Sequence, residues 1–288
     1  MGINIRTFKD IKPYFTGRLS GIYPEPEIGA ILNIIIKTLS GVSRLQAMTM
    51  PENVVPVKLR KELMSICKEL AGGKPLQYIL GETSFYNCTI KVDGSTLIPR
   101  PETEELVDLI IRDNKGKKPV ILDVATGSGC IAIALALNLP GSEVRGFDKS
   151  EQALLKAKEN ALYNEAGVNF FVADIFDLKM KNEPPCDIIV CNPPYVLESE
   201  KKLMDANVID HEPHSALFVP DNDPLRYYSA VLNLAAENLK PGGRIWFEIN
   251  EKMGRETAAL LTSAGYYEVE IIKDINGKDR IIRGTKNG

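Results

Sequence analysis

Two short stretches carry residue types at spacings that can do chemistry. The first is ILDVATGSGCIAIALA (residues 121–136), an apolar run entering a glycine loop that opens a helix. Gly127 and Gly129 permit a tight turn and close approach of a ligand to the backbone, and the free N–H groups at the helix start face that ligand. Nineteen residues beyond Gly129, at the end of the next expected strand, stands Asp148. A carboxylate there can accept hydrogen bonds from both hydroxyls of an adenosine ribose. Gly127 to Ala132 also fits G-x-G-x-x-A. Alone, the loop therefore reads as a dinucleotide site, another nucleoside site or a plain strand-to-helix turn.

The second stretch is CDIIVCNPPY (residues 186–195), which places Asn192, Pro193, Pro194 and Tyr195 straight after an apolar strand. Neither proline offers an N–H, so the loop is rich in acceptors. The Asn192 side-chain carbonyl and the Pro193 backbone carbonyl can together hold both hydrogens of a planar NH2 group, with Tyr195 packed on its face. Held in that way, a nitrogen of low basicity has its lone pair directed at a methyl donor, and positive charge growing on it is stabilised. A rigid Asn-Pro turn is the alternative reading, and the glycine loop upstream argues against it.

Other reactive residues point to less. His211 and His214, the two histidines of the chain, flank Glu212 and Pro213. The proline prevents the helical face that would align them, no cysteine stands near, and no metal site is expected. Cys191 adjoins Asn192 but has no histidine placed to activate it, and its apolar strand suits a core thiol. Arg100 has the reach to pair with a neighbouring acid.

The elements that must position these residues follow from the pattern around them. Apolar Ile28, Ile31, Leu32, Ile35, Ile36 and Leu39 fall on one helical face, with Gly41 as a stop, and Leu59, Leu63, Ile66 and Leu70 repeat it before Gly72-Gly73. From Pro75 the texture turns to Tyr, Phe, Thr, Ile and Val with glycine breaks, which predicts short strands and a hairpin. PETEELVDLIIRD opens a helix on Pro101. Strands then alternate with helices: PVILDV, SEVRGFD, NFFVAD, CDIIVC and RIWFEIN, and finally two strands around Asn276-Gly277. This predicts a doubly wound, mostly parallel seven-stranded α/β sheet with a small helical domain before it. The expected boundaries are 1–74 for a helical domain that either docks substrate or merely packs as a small bundle, with docking the expectation, 75–98 for a hairpin connector and 99–288 for the α/β domain.

Composition narrows the partners. The 288 residues carry 35 Lys and Arg against 38 Asp and Glu, a formal charge of -3, so the bulk charge asks for neither nucleic acid nor an anionic membrane. Charges break the N-terminal MGINIRTFKDIKPYF, no apolar run is long enough to span a bilayer, and the five scattered cysteines fit reduced thiols. A cytoplasmic location is expected.

DVATGSG, Asp148 and NPPY together resemble the class I S-adenosylmethionine-dependent methyltransferases that act on planar nitrogens. TLIPRPETEEL, with GKPLQYILGETSFY before it and HEPHSALF and KDINGKDRIIRG after it, is similar over nearly the whole chain to the HemK/PrmC family. Members of that family methylate N5 of the glutamine in the Gly-Gly-Gln loop of peptide chain release factors. The resemblance implies S-adenosylmethionine as cofactor, a release factor as protein substrate, and no requirement for nucleic acid or membrane. By position it puts Ala125, Thr126, Gly127, Ser128 and Gly129 around the methionine part of the cofactor and Asp148 on its ribose. Asp174 and Ile175 fall near the adenine. Asn192, Pro193, Pro194 and Tyr195 are placed on the glutamine amide, with Asn192 also bordering the cofactor. Ala125 stands where the family usually has Gly, and Ile175 where an aromatic is frequent. NPPY is shared with adenine-N6 DNA methyltransferases, which need a basic groove and base flipping. Pro101 and the acids after it favour the release-factor branch over the ribosomal-protein glutamine methyltransferases, which tend to have Ser there.

Overall fold

The computed structural model describes residues 4–40, 51–177 and 184–288. Over these, the chain divides into two compact units, Met1–Gly81 with Ala206–His211 and Glu82–Asp205 with Glu212–Gly288. The first unit holds α1 (Ile11–Leu19), α2 (Glu25–Ser40), α3 (Val57–Ala71) and α4 (Leu76–Leu80). Ile28, Ile31, Leu32 and Ile35 of α2 share a buried core with Leu63, Ile66 and Leu70 of α3 and with Tyr14 and Phe15 of α1, while Ile36, Leu39 and Leu59 lie at its edge. That spacing of three and four is what one buried helical face requires. Gly72 ends α3, its N–H bonded to Lys68 O at 3.1 Å. The Gly41 stop lies outside the described residues.

The short strands expected from Pro75 begin only at Glu82. LQYIL forms a turn of helix because Leu76 is drawn into the helical core, and Gly81, at φ 74°, ends it in the left-handed region. The boundary expected after residue 74 thus falls after Gly81. The hairpin itself, β1 (Glu82–Phe85) and β2 (Cys88–Lys91), turns at Tyr86 and Asn87, with φ of 44° and 65°. Two consecutive left-handed residues match the twist of the flanking strands. Asp93-Gly94 makes a separate turn closed by Thr96 N to Asp93 O at 3.1 Å.

The remaining elements are α5 (Pro101–Asp113), β3 (Val120–Val124), α6 (Cys130–Asn138), β4 (Glu143–Asp148), α7 (Glu151–Tyr163), β5 (Val168–Val172), β6 (Cys186–Cys191), β7 (Val196–Leu197), α8 (Ala206–His211), β8 (Phe218–Val219), α9 (Arg226–Asn238), β9 (Leu239–Glu248), α10 (Gly254–Ser263), β10 (Tyr266–Lys273) and β11 (Asp279–Lys286). Seven of the strands form one sheet in the order β10-β11-β9-β6-β3-β4-β5, parallel from β9 to β5 with β11 and β10 antiparallel at one edge. The central strands read as continuous apolar runs, as strands covered on both faces must. Ile121, Leu122, Ile188, Ile189, Ile245 and Phe247 are at most 2% exposed. Pro241-Gly242-Gly243 lies inside β9 as an irregularity, where Cys186 pairs with Leu239 but Ile188 with Arg244.

The chain moves outward from β3 to β4 and β5, then returns to β6 and proceeds the other way to β9. The strand order therefore reverses between β3 and β6. Outside the carboxyl ends of such strands lies the usual ligand crevice of an open α/β sheet. The register makes this concrete: Val124 pairs with both Phe147 and Cys191, and Cys191 with Phe247. The next residues of all four strands, Ala125, Asp148, Asn192 and Glu248, therefore emerge level with one another.

Candidate active site

A cleft opens at that edge, enclosing about 1010 Å³ with its mouth included. Ala125, Thr126, Gly127, Ser128, Asp148, Asp174, Ile175, Asn192 and Pro194 line it; Gly129, Pro193 and Tyr195 do not. Thr96, Arg100, Thr103, Ser215 and Tyr227 are among the other residues of its wall. The two stretches singled out by chemistry thus face one space.

The glycine loop is built by backbone conformation. Ala125, Gly127 and Gly129 have φ of 57°, 55° and 79°. The first is costly for a residue with a Cβ, by about 1–2 kcal/mol. A Cβ on Gly127 would meet nothing within 4 Å, whereas one on Gly129 would lie 2.9 Å from Phe170 Cζ and 3.1 Å from Ala157 Cβ. Gly129 therefore serves close packing, and Gly127 keeps the cleft open. Asp148 accepts from Gly127 N and Ser150 N, each at 2.9 Å, one on each carboxylate oxygen. A carboxylate has about four acceptor sites, so lone pairs remain for a ligand. Beneath the loop, Thr126 Oγ1 donates to Asp123 Oδ2 at 2.5 Å. Asp123 is fully buried, and that burial pushes its pKa up to about 7.

The Asn-Pro-Pro-Tyr loop is held from below by β9 and α5. Glu248, 1% exposed, accepts from Thr103 Oγ1 at 2.6 Å and from Tyr195 OH at 3.0 Å. Asn192 Nδ2 donates to Thr103 Oγ1 at 3.2 Å. Asn250 Nδ2 donates to Tyr195 O at 3.2 Å and to Glu200 Oε2 at 2.9 Å. The Tyr195 phenol is thus turned to Glu248 rather than into the cleft, and burial with that carboxylate beside it pushes its pKa well above the ordinary value. Burial also raises the Cys130 thiol to about 12 and the Cys191 thiol well above 9.0, so neither serves as a nucleophile.

Two features form the rim. Arg100 pairs with the buried Glu212 at 2.6 Å, and Glu212 also accepts from Ile98 N at 3.1 Å, fastening the segment after α8 to the loop before α5. His214 stacks edge-on against Phe218, with ring centroids 5.3 Å apart. At the adenosine end expected from the resemblance, Tyr227 lines the cleft along with Ile175, braced by Phe176 at 5.1 Å and by Arg226 over the Phe176 ring at 4.6 Å.

Residues 115–272 match the family described as a methyltransferase domain, and residues 14–81 the PrmC N-terminal domain. The release factor glutamine methyltransferase of Bacteroides thetaiotaomicron is 42% identical over 276 residues, covering 96% of this chain and 99% of the relative. That of Flavobacterium psychrophilum is 41% identical, covering 96% and 98%. The chain belongs to the release factor glutamine methyltransferase family. A crystal structure of a methyltransferase from Pyrococcus furiosus shares the fold with a TM-score of 0.51 at 18% identity, over 69% of this methyltransferase and 89% of that chain.

Several residues of this methyltransferase site have no signal in a local motif. Glu248 and Asn250 reach the loop only through strand register; Thr103 lies inside TLIPRPETEEL, but nothing in that segment alone pairs it with Asn192 and Glu248. Asn160 of α7, fully buried, donates to Ser128 O at 2.9 Å and exchanges hydrogen bonds with the backbone of Lys91, thereby tying the glycine loop to β2. Gly146 of β4 admits Phe170, whose Cε1 would lie 2.9 Å from an added Cβ. Its one available signal was a glycine interrupting an apolar strand.

Proposed function

We propose that this methyltransferase transfers a methyl group from S-adenosylmethionine to the side-chain amide nitrogen N5 of the glutamine in the Gly-Gly-Gln motif of a peptide chain release factor. The observation that carries the reading is the meeting of the glycine loop, Asp148 and Asn192 in one cleft of a family member. The donor set fits the cofactor: open space over Gly127 admits a ligand to the backbone, and Asp148 keeps lone pairs for ribose hydroxyls. Residues Ala125 to Ser128 hold its methionine part, with Gly129 shaping the turn. Asp174 and Ile175 border the adenine, and Tyr227 supplies the aromatic surface that Ile175 lacks.

Bound there, S-adenosylmethionine supplies an electrophilic methyl on a sulfonium. Asn192 Oδ1 accepts an N–H bond of the glutamine amide, and the rigid backbone of Pro193-Pro194 keeps that acceptor in place. Held in this way, the amide nitrogen would receive that methyl, the cofactor would leave as its thioether, and one amide proton would pass to solvent. Orientation of this kind is worth up to about 7–11 kcal/mol in well-placed intramolecular reactions. Tyr195, bonded to Glu248 and with a raised pKa, takes no proton; it positions the loop. The helical unit Met1–Gly81 docks the factor away from its glutamine.

The test is transfer of labelled methyl to purified, unmethylated release factor, with a variant lacking the Gly-Gly-Gln glutamine and duplex DNA alongside. Label should appear on the factor, vanish with the glutamine, and fall on the order of 100-fold with Asn192→Ala. Label on DNA would contradict the reading.

A further inference from the structure

Asn192 can hold a substrate NH2 group only if its amide faces the cleft oxygen-first. The two ends of an amide have nearly the same shape, so packing alone does not choose between them. The choice is made behind the residue. Asn192 touches Thr103 Oγ1 at 3.2 Å, and Thr103 touches Glu248 Oε2 at 2.6 Å. The other oxygen of Glu248 meets Tyr195 OH at 3.0 Å. An ionised carboxylate has no proton to give, so both hydroxyls must donate to it. Thr103 has then used its one proton and can only accept from Asn192. The Asn192 NH2 is drawn to Thr103, leaving Oδ1 for the cleft. Were the chain reversed, an NH2 group would face the NH2 group of the substrate.

We propose that Thr103 and Glu248 are positioning residues that fix the amide of Asn192 through this ordered chain of hydrogen bonds, so that its oxygen receives the substrate amide. The proposal rests on Asn192 binding the glutamine amide, as proposed above. It draws on three elements, α5, β9 and the end of β6, that meet at one strand edge. Geometry carries it: each oxygen of Glu248 meets one hydroxyl, Thr103 Oγ1 at 2.6 Å and Tyr195 OH at 3.0 Å, and although burial raises the Glu248 pKa, these two hydroxyls and the charge of Arg280 act against that rise.

Three variants of the full chain test it. Thr103→Val keeps the shape and removes the hydroxyl, Thr103→Ser keeps the hydroxyl, and Glu248→Gln keeps the shape but presents only one acceptor oxygen to the two hydroxyls. Each is assayed for kcat and KM on release factor, for S-adenosylmethionine affinity by calorimetry, and for melting temperature. Thr103→Val and Glu248→Gln should lose roughly 10–100-fold in kcat with cofactor affinity within about two-fold of wild type, while Thr103→Ser restores kcat to within a few-fold. Wild-type kcat in Thr103→Val, or equal damage in Thr103→Ser, would overturn the proposal. If Thr103→Val fails to fold, full kcat in Glu248→Gln overturns it and a selective kcat loss there upholds it. Failure of the parent reading looks different: wild-type protein leaves the factor unlabelled, or Asn192→Ala keeps full activity.

Discussion

Gly127 and Gly129 stand two residues apart, have the same sign of φ, and do different work. An alanine at Gly129 would place its Cβ 2.9 Å from the Phe170 ring. Thermal unfolding should therefore show Gly129→Ala less stable by about 1–3 kcal/mol of overpacking on top of about 1–2 kcal/mol of left-handed strain. Gly127→Ala meets open space, so it should cost only about 1–2 kcal/mol of left-handed strain while weakening cofactor binding on titration; equal affinity to wild type would contradict its place in the cleft. Asp123 gives the pH dependence. Burial moves its pKa from 3.8 to about 7, so the folded form keeps a proton that the unfolded chain has lost. Between pH 4 and about 7, the contribution of Asp123 to stability then falls as pH rises, and it levels off above. The advantage of Asp123→Asn over wild type in denaturant titrations should grow across that window, on the order of a few kcal/mol, and parallel profiles would refute it. Residues acting through contiguous sequence were legible: the glycine loop, Asp148 at the strand end and Asn192. Glu248 was not, since its partner Thr103 lies 145 residues away and only strand register brings them together. The orientation of Tyr195 escaped for the same reason, because the acceptor that turns it is Glu248.

Among the elements, the alternation of apolar strands and amphipathic helices was readable because each pattern is local. The Pro75–Gly81 stretch was misread because LQYIL is short enough to suit helix or strand, and the helical core decided by taking Leu76. The link between β2 and α7 had no sequence signal. It consists of Asn160 and Asn164, one helical turn apart, whose side-chain amides bond the backbone of Lys91 and Thr89 as a neighbouring strand would. Asn160 adds the bond to Ser128 O in the glycine loop. Asn160→Ala removes the side-chain partner of three backbone groups, Lys91 N, Lys91 O and the buried Ser128 O, and should cost about 2–4 kcal/mol. It should also loosen cofactor binding. Hydrogen exchange checks the mechanism directly: the Lys91 amide should lose protection in the variant while the amides of β3 keep theirs.

Across the whole molecule, each unit has its own core, the helical one around Phe15, Ile35 and Leu63 and the sheet one around Val124, Phe147 and Phe247. The cleft lies wholly within the second unit. A chain lacking residues 1–81 should therefore bind S-adenosylmethionine with near wild-type affinity yet methylate release factor far more slowly. Unchanged turnover would remove the docking role of the helices. No described helix is long and apolar enough to cross a membrane. The measurement that tests the central claim most directly is tandem mass spectrometry of release factor after reaction with the wild-type chain. The account predicts a single methyl group on the side-chain amide of the Gly-Gly-Gln glutamine, appearing on the order of 100-fold more slowly when Asn192→Ala replaces the wild type. A methyl group on any other residue, or one that appears at the wild-type rate with Asn192→Ala, would contradict it.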